Sequence, residues 1–130
     1  MKKWTLEKQF RFEASHALPD HDGKCARPHG HSWVMKIGVS SRSLIKGGPK
    51  AGMVMDYSEI SEIVRPIIDQ RLDHYCLNDS IPLHNPTSEA ICKWMFDKIE
   101  HYFQDMPVEL EYVQIDETCT SACRYGLTFA

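Results

Sequence analysis

The sequence predicts an α+β fold in which a four-stranded antiparallel sheet carries two helices on one face. Apolar and polar residues alternate in two segments near each end of the chain, which is typical of half-buried strands. Two segments between them repeat apolar residues at helical spacing, giving the order ββααββ. Strands that are neighbours in sequence usually pair, and helices then cover the sheet. With 130 residues, 42% of them hydrophobic, the chain suits one domain over residues 1–130.

The first two strands are predicted on either side of a turn-rich loop. The first runs over residues 4–18, and the side chains on one of its faces are Phe10, Phe12, Ala14 and His16. The loop "PDHDGKCARPHG" contains two prolines and two glycines, which interrupt regular structure. The second strand is predicted over residues 32–44, and the turn "KGGPKAG" follows it.

The first helix begins at a capping residue and is interrupted by a proline. Asp56 is the predicted N-cap, and Glu59 three residues later completes a capping-box pattern. The apolar stripe of this helix consists of Ile60, Ile63, Val64, Ile67 and Ile68. Pro66 lacks the backbone N–H that a helix interior needs, so it predicts a kink or a helix boundary.

The second helix follows a loop over residues 76–86 and is capped by Thr87 or Ser88. Its predicted buried face consists of Ile91, Trp94, Met95, Ile99, Tyr102 and Phe103. Cys76 and Cys92 are predicted to pack in the core.

Two further strands are predicted over residues 108–117 and 124–129, after Pro107. A sheet of only four strands leaves two exposed edges, and oligomerisation is one way to protect them. The short chain also makes an active site shared between subunits plausible.

Composition excludes several classes of function. The formal charge of −3 and the pI near 6.1 give no indication of nucleic-acid binding. No apolar segment approaches the roughly 20 residues that span a membrane, and the charged N-terminus does not resemble a signal peptide. Five cysteines without a secretory signal predict a reducing cytoplasm.

Histidines are the first candidates for metal chemistry. His29 and His31 are two residues apart, so both rings point to the same side of extended backbone. His16 on the neighbouring strand is the natural third ligand, and three protein ligands leave a fourth position of Zn²⁺ open for catalysis. The alternative is that these are ordinary surface or core histidines.

Cys25 admits two interpretations that spacing alone does not separate. As a fourth ligand it would close a structural zinc site. As a free thiol near a dication and near Lys24 and Arg27, it would have a depressed pKa and could act as a general base.

Two further motifs give weaker indications. Asp73 and His74 are adjacent, and a carboxylate beside a histidine can orient the ring for proton transfer, although such pairs also occur by chance. Glu117, at the end of the third strand, is either a solvated charge or a ligand anchor. Cys119 and Cys123 lack a second pair to complete a metal site and are interpreted as structural.

Six motifs, in order, carry a resemblance to a known family. They are "FEASHAL", "KCARPHGHS", "GMVMDYSEI", "RLDHYCLND", "NPTSEAICKW" and "ETCTSACRY". Together they resemble the 6-pyruvoyltetrahydropterin synthase superfamily over nearly the whole chain, and within it the bacterial 6-carboxytetrahydropterin synthases of queuosine biosynthesis. The spacing Cys-x3-His-Gly-His and the segment "ETCTSAC" are similar to the carboxy-forming branch.

This resemblance implies the tunnelling fold (T-fold), in which three subunits join their sheets into a barrel and two trimers stack into a hexamer. It also implies that Zn²⁺ is bound by His16, His29 and His31. Cys25 then matches the proton-abstracting base and not a fourth ligand. Asp73 and His74 match the proton relay of the family, Glu117 matches the carboxylate that grips the pterin, and Thr87 lies in a pterin-pocket motif.

The implied reaction converts 7,8-dihydroneopterin triphosphate to 6-carboxytetrahydropterin, acetaldehyde and triphosphate. Lys24 and Arg27 are candidates for facing the triphosphate, on charge alone. The alternatives are pyruvoyl formation from the same substrate, a non-catalytic zinc-stabilised binding module, and a catalytically silent paralogue. The joint presence of Cys25, Asp73, His74 and Glu117 argues against a silent paralogue.

Overall fold

The computed structural model describes residues 2–128 and contains one mixed sheet with helices. In chain order the strands are β1 (Trp4–His16), β2 (His29–Ser41), β3 (Tyr75–Cys76), β4 (Glu109–Thr118) and β5 (Ser121–Gly126). The helices are α1 (Tyr57–Ile67), α2 (Leu77–Ser80) and α3 (Ser88–Ile99). The strands lie in the order β3-β1-β2-β4-β5. No helix in the described range is both long and apolar enough to cross a membrane.

The four predicted strands pair antiparallel, as expected from the sequence. β1 pairs with β2 from Trp4↔Ser41 to His16↔His29, and β4 follows on the other side of β2. The fifth strand, β3, was not predicted and pairs parallel with β1 at Ala14 and Ser15. It has two residues, too few for an alternating pattern, which is why the sequence predicts only a loop there.

Several strand boundaries differ from prediction. β1 ends at His16 and not at residue 18, and β2 ends at Ser41 and not at residue 44. β2 begins at His29 and not at residue 32. The pairing with β1 continues through Gly30 as far as His16↔His29. β5 covers Ser121–Gly126 and not 124–129, because it turns back directly after β4, with Thr118 paired to Ser121. The predicted end at Phe129 lies outside the described residues.

One apolar core lies between the sheet and the two longer helices. The face of β1 predicted to point inward is buried throughout, at Phe10, Phe12, Ala14 and His16. The stripes of α1 and α3 join these strands in one cluster, so both helices cover the same face. Complete burial of a large apolar side chain contributes about 1.5–3 kcal/mol relative to exposure. This shared core fixes the ends of β1 and β2, where the histidines lie.

Helix α1 begins after the predicted cap Asp56 and continues through Pro66 to Ile67, although the cap has a different partner. The Asp56 carboxylate accepts from the Ser58 N–H at 2.9 Å. A hydrogen bond from Lys50 holds the pKa of Asp56 far below its usual range, and the Ser58 N–H adds to this. Glu59 lies 3.6 Å from Lys50, so it pairs with that ammonium instead of completing the capping box. After Pro66 the winding widens into a π turn over Ile68–Leu72, as expected where an N–H is missing.

Two predicted burials are wrong. Tyr102 is 47% exposed, because the chain tightens after Ile99 into a 3₁₀ turn (Glu100–Phe103) that rotates Tyr102 outward while Phe103 stays buried. Cys76 is only half-buried, because it lies on the edge strand β3. Cys92 is fully buried, as predicted.

Candidate metal centre and active site

Three histidines converge at one end of the sheet, on its core-facing side. His16 pairs with His29 across β1 and β2, and His31 pairs with Ala14, so the three rings share one face. Their ring centroids are 4.6–5.2 Å apart. One nitrogen from each ring lies within 4.8 Å of the others, so this group could hold a metal ion. We call these three residues the tripod.

Trp33 forms the apolar floor of the tripod. Its ring lies edge-on to His16 at 5.0 Å and to His31 at 5.1 Å between centroids. The indole N–H donates to the Ala14 carbonyl at 3.0 Å, which fixes the ring in place. Trp33 is completely buried, so the tripod has protein behind it and can open only on the opposite side.

Backbone carbonyls determine which nitrogen of two rings is free. His16 Nδ1 lies 2.8 Å from the Pro86 carbonyl, and His29 Nδ1 lies 2.8 Å from the Arg27 carbonyl. Because a carbonyl only accepts, both Nδ1 atoms must carry the proton, which leaves the Nε2 lone pairs free to bind a metal. Burial lowers the pKa of His16, which favours this neutral form.

The free nitrogens of two tripod rings face the carboxylate of Glu117, an arrangement that a bound cation would stabilise. The Nε2 atoms of His16 and His31 are buried without a hydrogen-bond partner. Glu117 Oε1 lies 3.4 Å from the first and 3.6 Å from the second. Lone pairs facing a carboxylate repel each other unless a cation lies among them. The donor set of three imidazoles suits Zn²⁺, so the residues present fit a metal.

We predict that the purified protein contains close to one zinc per chain, bound with three Zn–N distances of about 2.0–2.1 Å. Elemental analysis measures the occupancy. Replacing all three tripod histidines by alanine removes every nitrogen ligand, so zinc should fall to background, whereas the exposed His101 changed to alanine should leave it unchanged. Full occupancy in the triple variant would contradict the prediction.

Cys25 lies in a single 3₁₀ turn (Lys24–Ala26) of the loop between β1 and β2. Its carbonyl accepts from the Leu18 N–H at 2.8 Å, which closes the loop beside the tripod strands. The thiol is half-buried and is not a member of the metal-binding group found in residues 2–128. Lys24 and Arg27 are exposed on either side of it.

Asp73 and His74 form a fixed pair on the far edge of β1. His74 Nδ1 lies 2.9 Å from Asp73 Oδ2, while Asp73 Oδ1 accepts from the Glu13 N–H at 2.9 Å. The Glu13 N–H, and then His74, hold the pKa of Asp73 below its usual value. His74 has a left-handed backbone (φ 64°), which costs a non-glycine residue of the order of 1–3 kcal/mol. Such a conformation is often kept where a side chain must point in a particular direction.

Among the described residues, no hydrogen bond or ion pair joins this pair to a tripod side chain. Side chains alternate along β1, so Glu13 and Ser15 point away from the face that carries His16. His74 is 78% exposed and lines an open cleft of about 470 Å³ with Glu13, Ser15 and Ser32, and the tripod residue His31 also borders this cleft. A single chain therefore carries two separate groups of candidate residues.

Glu117 lies at a β-bulge and points toward the tripod. The pairing of β4 with β5 shifts between Asp116 and Thr118, which leaves Glu117 as the extra residue. It follows buried Ile115 on the core-facing side of the strand. Asp116 points to the other face, where it lies 3.4 Å from the Lys36 ammonium.

Asn78 is a positioning residue that the sequence analysis missed. Its Oδ1 accepts from the Ala17 N–H and its Nδ2 donates to the Ala17 carbonyl, both at 2.8 Å. This clamp ties the start of α2 to the residue after His16. Asparagine in a polar loop is common, so the sequence offers no signal that this one makes a paired contact.

Thr87 is the N-cap of α3, and its hydroxyl accepts from the Ala90 N–H at 3.1 Å. We predict that Thr87→Ala lowers the free energy of unfolding by about 0.5–2 kcal/mol through loss of this cap. Thermal unfolding measures the loss, and Thr87→Ser should restore most of it. If Thr87→Ala raises the KM for substrate and leaves stability unchanged, Thr87 is a pocket residue and not a cap.

Comparison with known proteins points to one family. Residues 5–127 match the family described as 6-pyruvoyl tetrahydropterin synthase. The 6-carboxy-5,6,7,8-tetrahydropterin synthase of Synechocystis sp. is 48% identical over 122 residues, which cover 94% of this chain and 92% of that protein. The enzyme of the same name from Haemophilus influenzae is 29% identical, over 94% and 98% of the two chains.

Solved structures agree in fold. The 6-pyruvoyl tetrahydropterin synthase of Caenorhabditis elegans superposes with a TM-score of 0.80 at 26% identity, over 98% of both chains. The enzyme from Plasmodium vivax has a TM-score of 0.66 at 17% identity, over 98% of this chain and 100% of that one. The expected fold of the single T-fold subunit and the resemblance drawn from the six motifs are both confirmed. The chain belongs to the 6-pyruvoyl tetrahydropterin synthase family.

Proposed function

We propose that this protein is a zinc-dependent 6-carboxytetrahydropterin synthase that serves queuosine biosynthesis. The observation that carries the proposal is the tripod, whose two buried Nε2 atoms lack a hydrogen-bond partner. The curated relatives at 48% and 29% identity bear the name of this activity, which supports it. The proposed substrates are 7,8-dihydroneopterin triphosphate and water, and the products are 6-carboxytetrahydropterin, acetaldehyde and triphosphate.

The tripod holds the metal through the Nε2 atoms of His16 and His29 and a ring nitrogen of His31. When bound there, Zn²⁺ acts as a Lewis acid that stabilises negative charge on the hydroxyl oxygens of the substrate side chain. The buried Trp33 excludes water from the inner side of the tripod, which strengthens every electrostatic interaction in front of it.

Two groups on this chain transfer protons. Cys25, half-buried in its turn beside the tripod strands, removes a proton from a carbon of the substrate side chain as a thiolate. His74 exchanges a proton on the other side of that carbon chain. Asp73, ionised because of its low pKa and 2.9 Å from His74 Nδ1, orients the ring and stabilises its protonated form.

Glu117 binds the pterin ring. Its carboxylate is 29% exposed at the end of β4, so it can accept from the N–H groups of an aminopyrimidinone. Fixing the ring there places the side chain of the substrate over the tripod. Thr87 contributes through the position of α3, whose first turn it caps. Lys24 and Arg27 face the triphosphate.

The separation of the candidate residues supports an active site built between subunits. The Asp73–His74 pair is tied to the Glu13 N–H at the edge of β1, and within the described residues its side chains make no hydrogen bond or ion pair with the tripod. The edge strands β3 and β5 leave backbone groups available for pairing with another copy. We propose a barrel of three subunits and a hexamer of two such trimers. The five free cysteines suit a reducing cytoplasm.

Pyruvoyl formation from the same substrate is the second candidate, because a 6-pyruvoyl tetrahydropterin synthase is among the similar structures. In that reaction the carbon chain stays intact and no acetaldehyde forms. Mass spectrometry of the products made from dihydroneopterin triphosphate separates the two. Equimolar acetaldehyde and 6-carboxytetrahydropterin are expected. A pyruvoyl product alone would overturn the proposal, and no turnover by zinc-loaded protein would favour a non-catalytic binding module.

A further inference from the structure

We propose that Glu117 is the fourth ligand of the metal in the substrate-free protein. This inference rests on the proposed zinc site and gives Glu117 a role in addition to pterin binding. The structure places Glu117 Oε1 at 3.4 Å from His16 Nε2 and 3.6 Å from His31 Nε2. Both nitrogens are otherwise without a hydrogen-bond partner.

These distances correspond to the spacing of ligands around one zinc ion. Ligand atoms at about 2.0–2.1 Å from a tetrahedral centre are about 3.3–3.4 Å from one another. The carboxylate oxygen is therefore at ligand spacing from two of the three tripod residues. Its ion pairs in the described structure are with these two and not with His29, so it approaches the tripod from the side of His16 and His31.

Without a cation between them, the approach of the Glu117 carboxylate to His16 Nε2 is electrostatically unfavourable. His16 Nδ1 carries its proton toward the Pro86 carbonyl, so His16 Nε2 presents a lone pair to the carboxylate. A divalent ion placed among these atoms attracts both the carboxylate and the imidazole lone pairs, which removes the repulsion between them.

The backbone also explains why Glu117 and not its neighbour reaches the tripod. Glu117 is the extra residue of the bulge, on the face that carries Trp33 and the tripod. Asp116 carries the same charge one residue earlier but points to the opposite face, toward Lys36. In the proposed enzyme, substrate must draw Glu117 away to the pterin ring, and this movement opens the metal to the substrate hydroxyls.

The test is a titration of metal-free protein with Co²⁺, followed by visible absorption, whose bands report coordination geometry. Glu117→Gln should weaken Co²⁺ binding by about 10- to 100-fold, the range seen when the surroundings of a metal ligand are altered. Its spectrum should differ from that of the wild-type protein. The matched control, Asp116→Asn, removes the same charge on the other face and should change neither the affinity nor the spectrum.

A second measurement separates ligation from a merely structural role. In metal-free protein, Glu117→Gln removes the repulsion at His16 and should leave the melting temperature equal or higher. With Co²⁺ bound, the same change should lower it relative to wild type. Equal Co²⁺ affinity and spectrum in the wild type and Glu117→Gln would overturn the inference and leave the tripod intact. Failure of the wild type to bind Co²⁺ or Zn²⁺ would instead overturn the proposed function.

Discussion

Cys25→Ala should retain its zinc and its melting temperature and lose turnover by about 10²–10⁴-fold, the contribution of general-base catalysis. The physical reason is that the metal-binding group in the described structure consists of the tripod alone. Removing a thiol from outside that group leaves the ligands in place. A structural fourth ligand would behave differently, since structural zinc contributes folding free energy directly.

Elemental analysis, thermal unfolding and turnover of the same preparation measure the three quantities together. Cys119→Ala is the control, because Cys119 is an exposed thiol in the β4–β5 turn and has no proposed role. It should match the wild type in all three. Parallel loss of zinc and activity in Cys25→Ala would show that Cys25 is a metal ligand and that its role as a base is wrong.

The fold was predictable from sequence where the signal is periodic. The alternation from Phe10 to His16 and the helical stripe around Ile60 reflect burial against one core, and both are present in the structure. What the sequence could not predict depends on pairing partners. β3 has no pattern of its own, and its position follows from the edge of β1 that accepts it. Tyr102 is exposed because the helix tightens into a 3₁₀ turn at its end. The spacing of apolar residues along the helix does not reveal this change in winding.

Some features of the candidate site were also predictable from sequence, and others were not. Two histidines at i and i+2 on a strand predict a shared face, and the pairing of His16 with His29 completes the tripod. Sequence could not predict that Glu117 Oε1 lies within 3.6 Å of a nitrogen on two of these rings, because that distance depends on how β4 pairs beside β2. It also could not predict that the Glu13 N–H of β1 holds Asp73, because that contact depends on how a distant loop returns to the edge of the sheet.

Mixed oligomers give the strongest test of a site shared between subunits. Cys25→Ala and His74→Ala should each be nearly inactive alone. In oligomers co-expressed from both variants, each site that takes Cys25 from one copy and His74 from another has about a one-in-four chance of receiving both intact residues under cyclic symmetry. Activity should therefore rise to about one quarter of wild type, although every chain carries a damaging substitution. If both residues act within one chain, no site is ever complete and activity stays at the level of the single variants.

The measurement needs chains with two different affinity tags, purified over both so that only mixed oligomers remain, and turnover normalised to zinc content. The control is a co-expression of Cys25→Ala with Glu117→Ala. Glu117 lies against the tripod of its own chain, at 3.4 Å from His16, and Cys25 lies in the loop that joins the same two strands. If Cys25 and Glu117 both serve the site of their own chain, every site in this mixture lacks one of the two residues. The control mixture should therefore stay inactive. Recovery of activity in the first mixture and none in the second would show that two copies share the active site, at the sheet edge that carries β3. Light scattering of the same samples should show assemblies in multiples of three, and an active monomer would contradict the shared site.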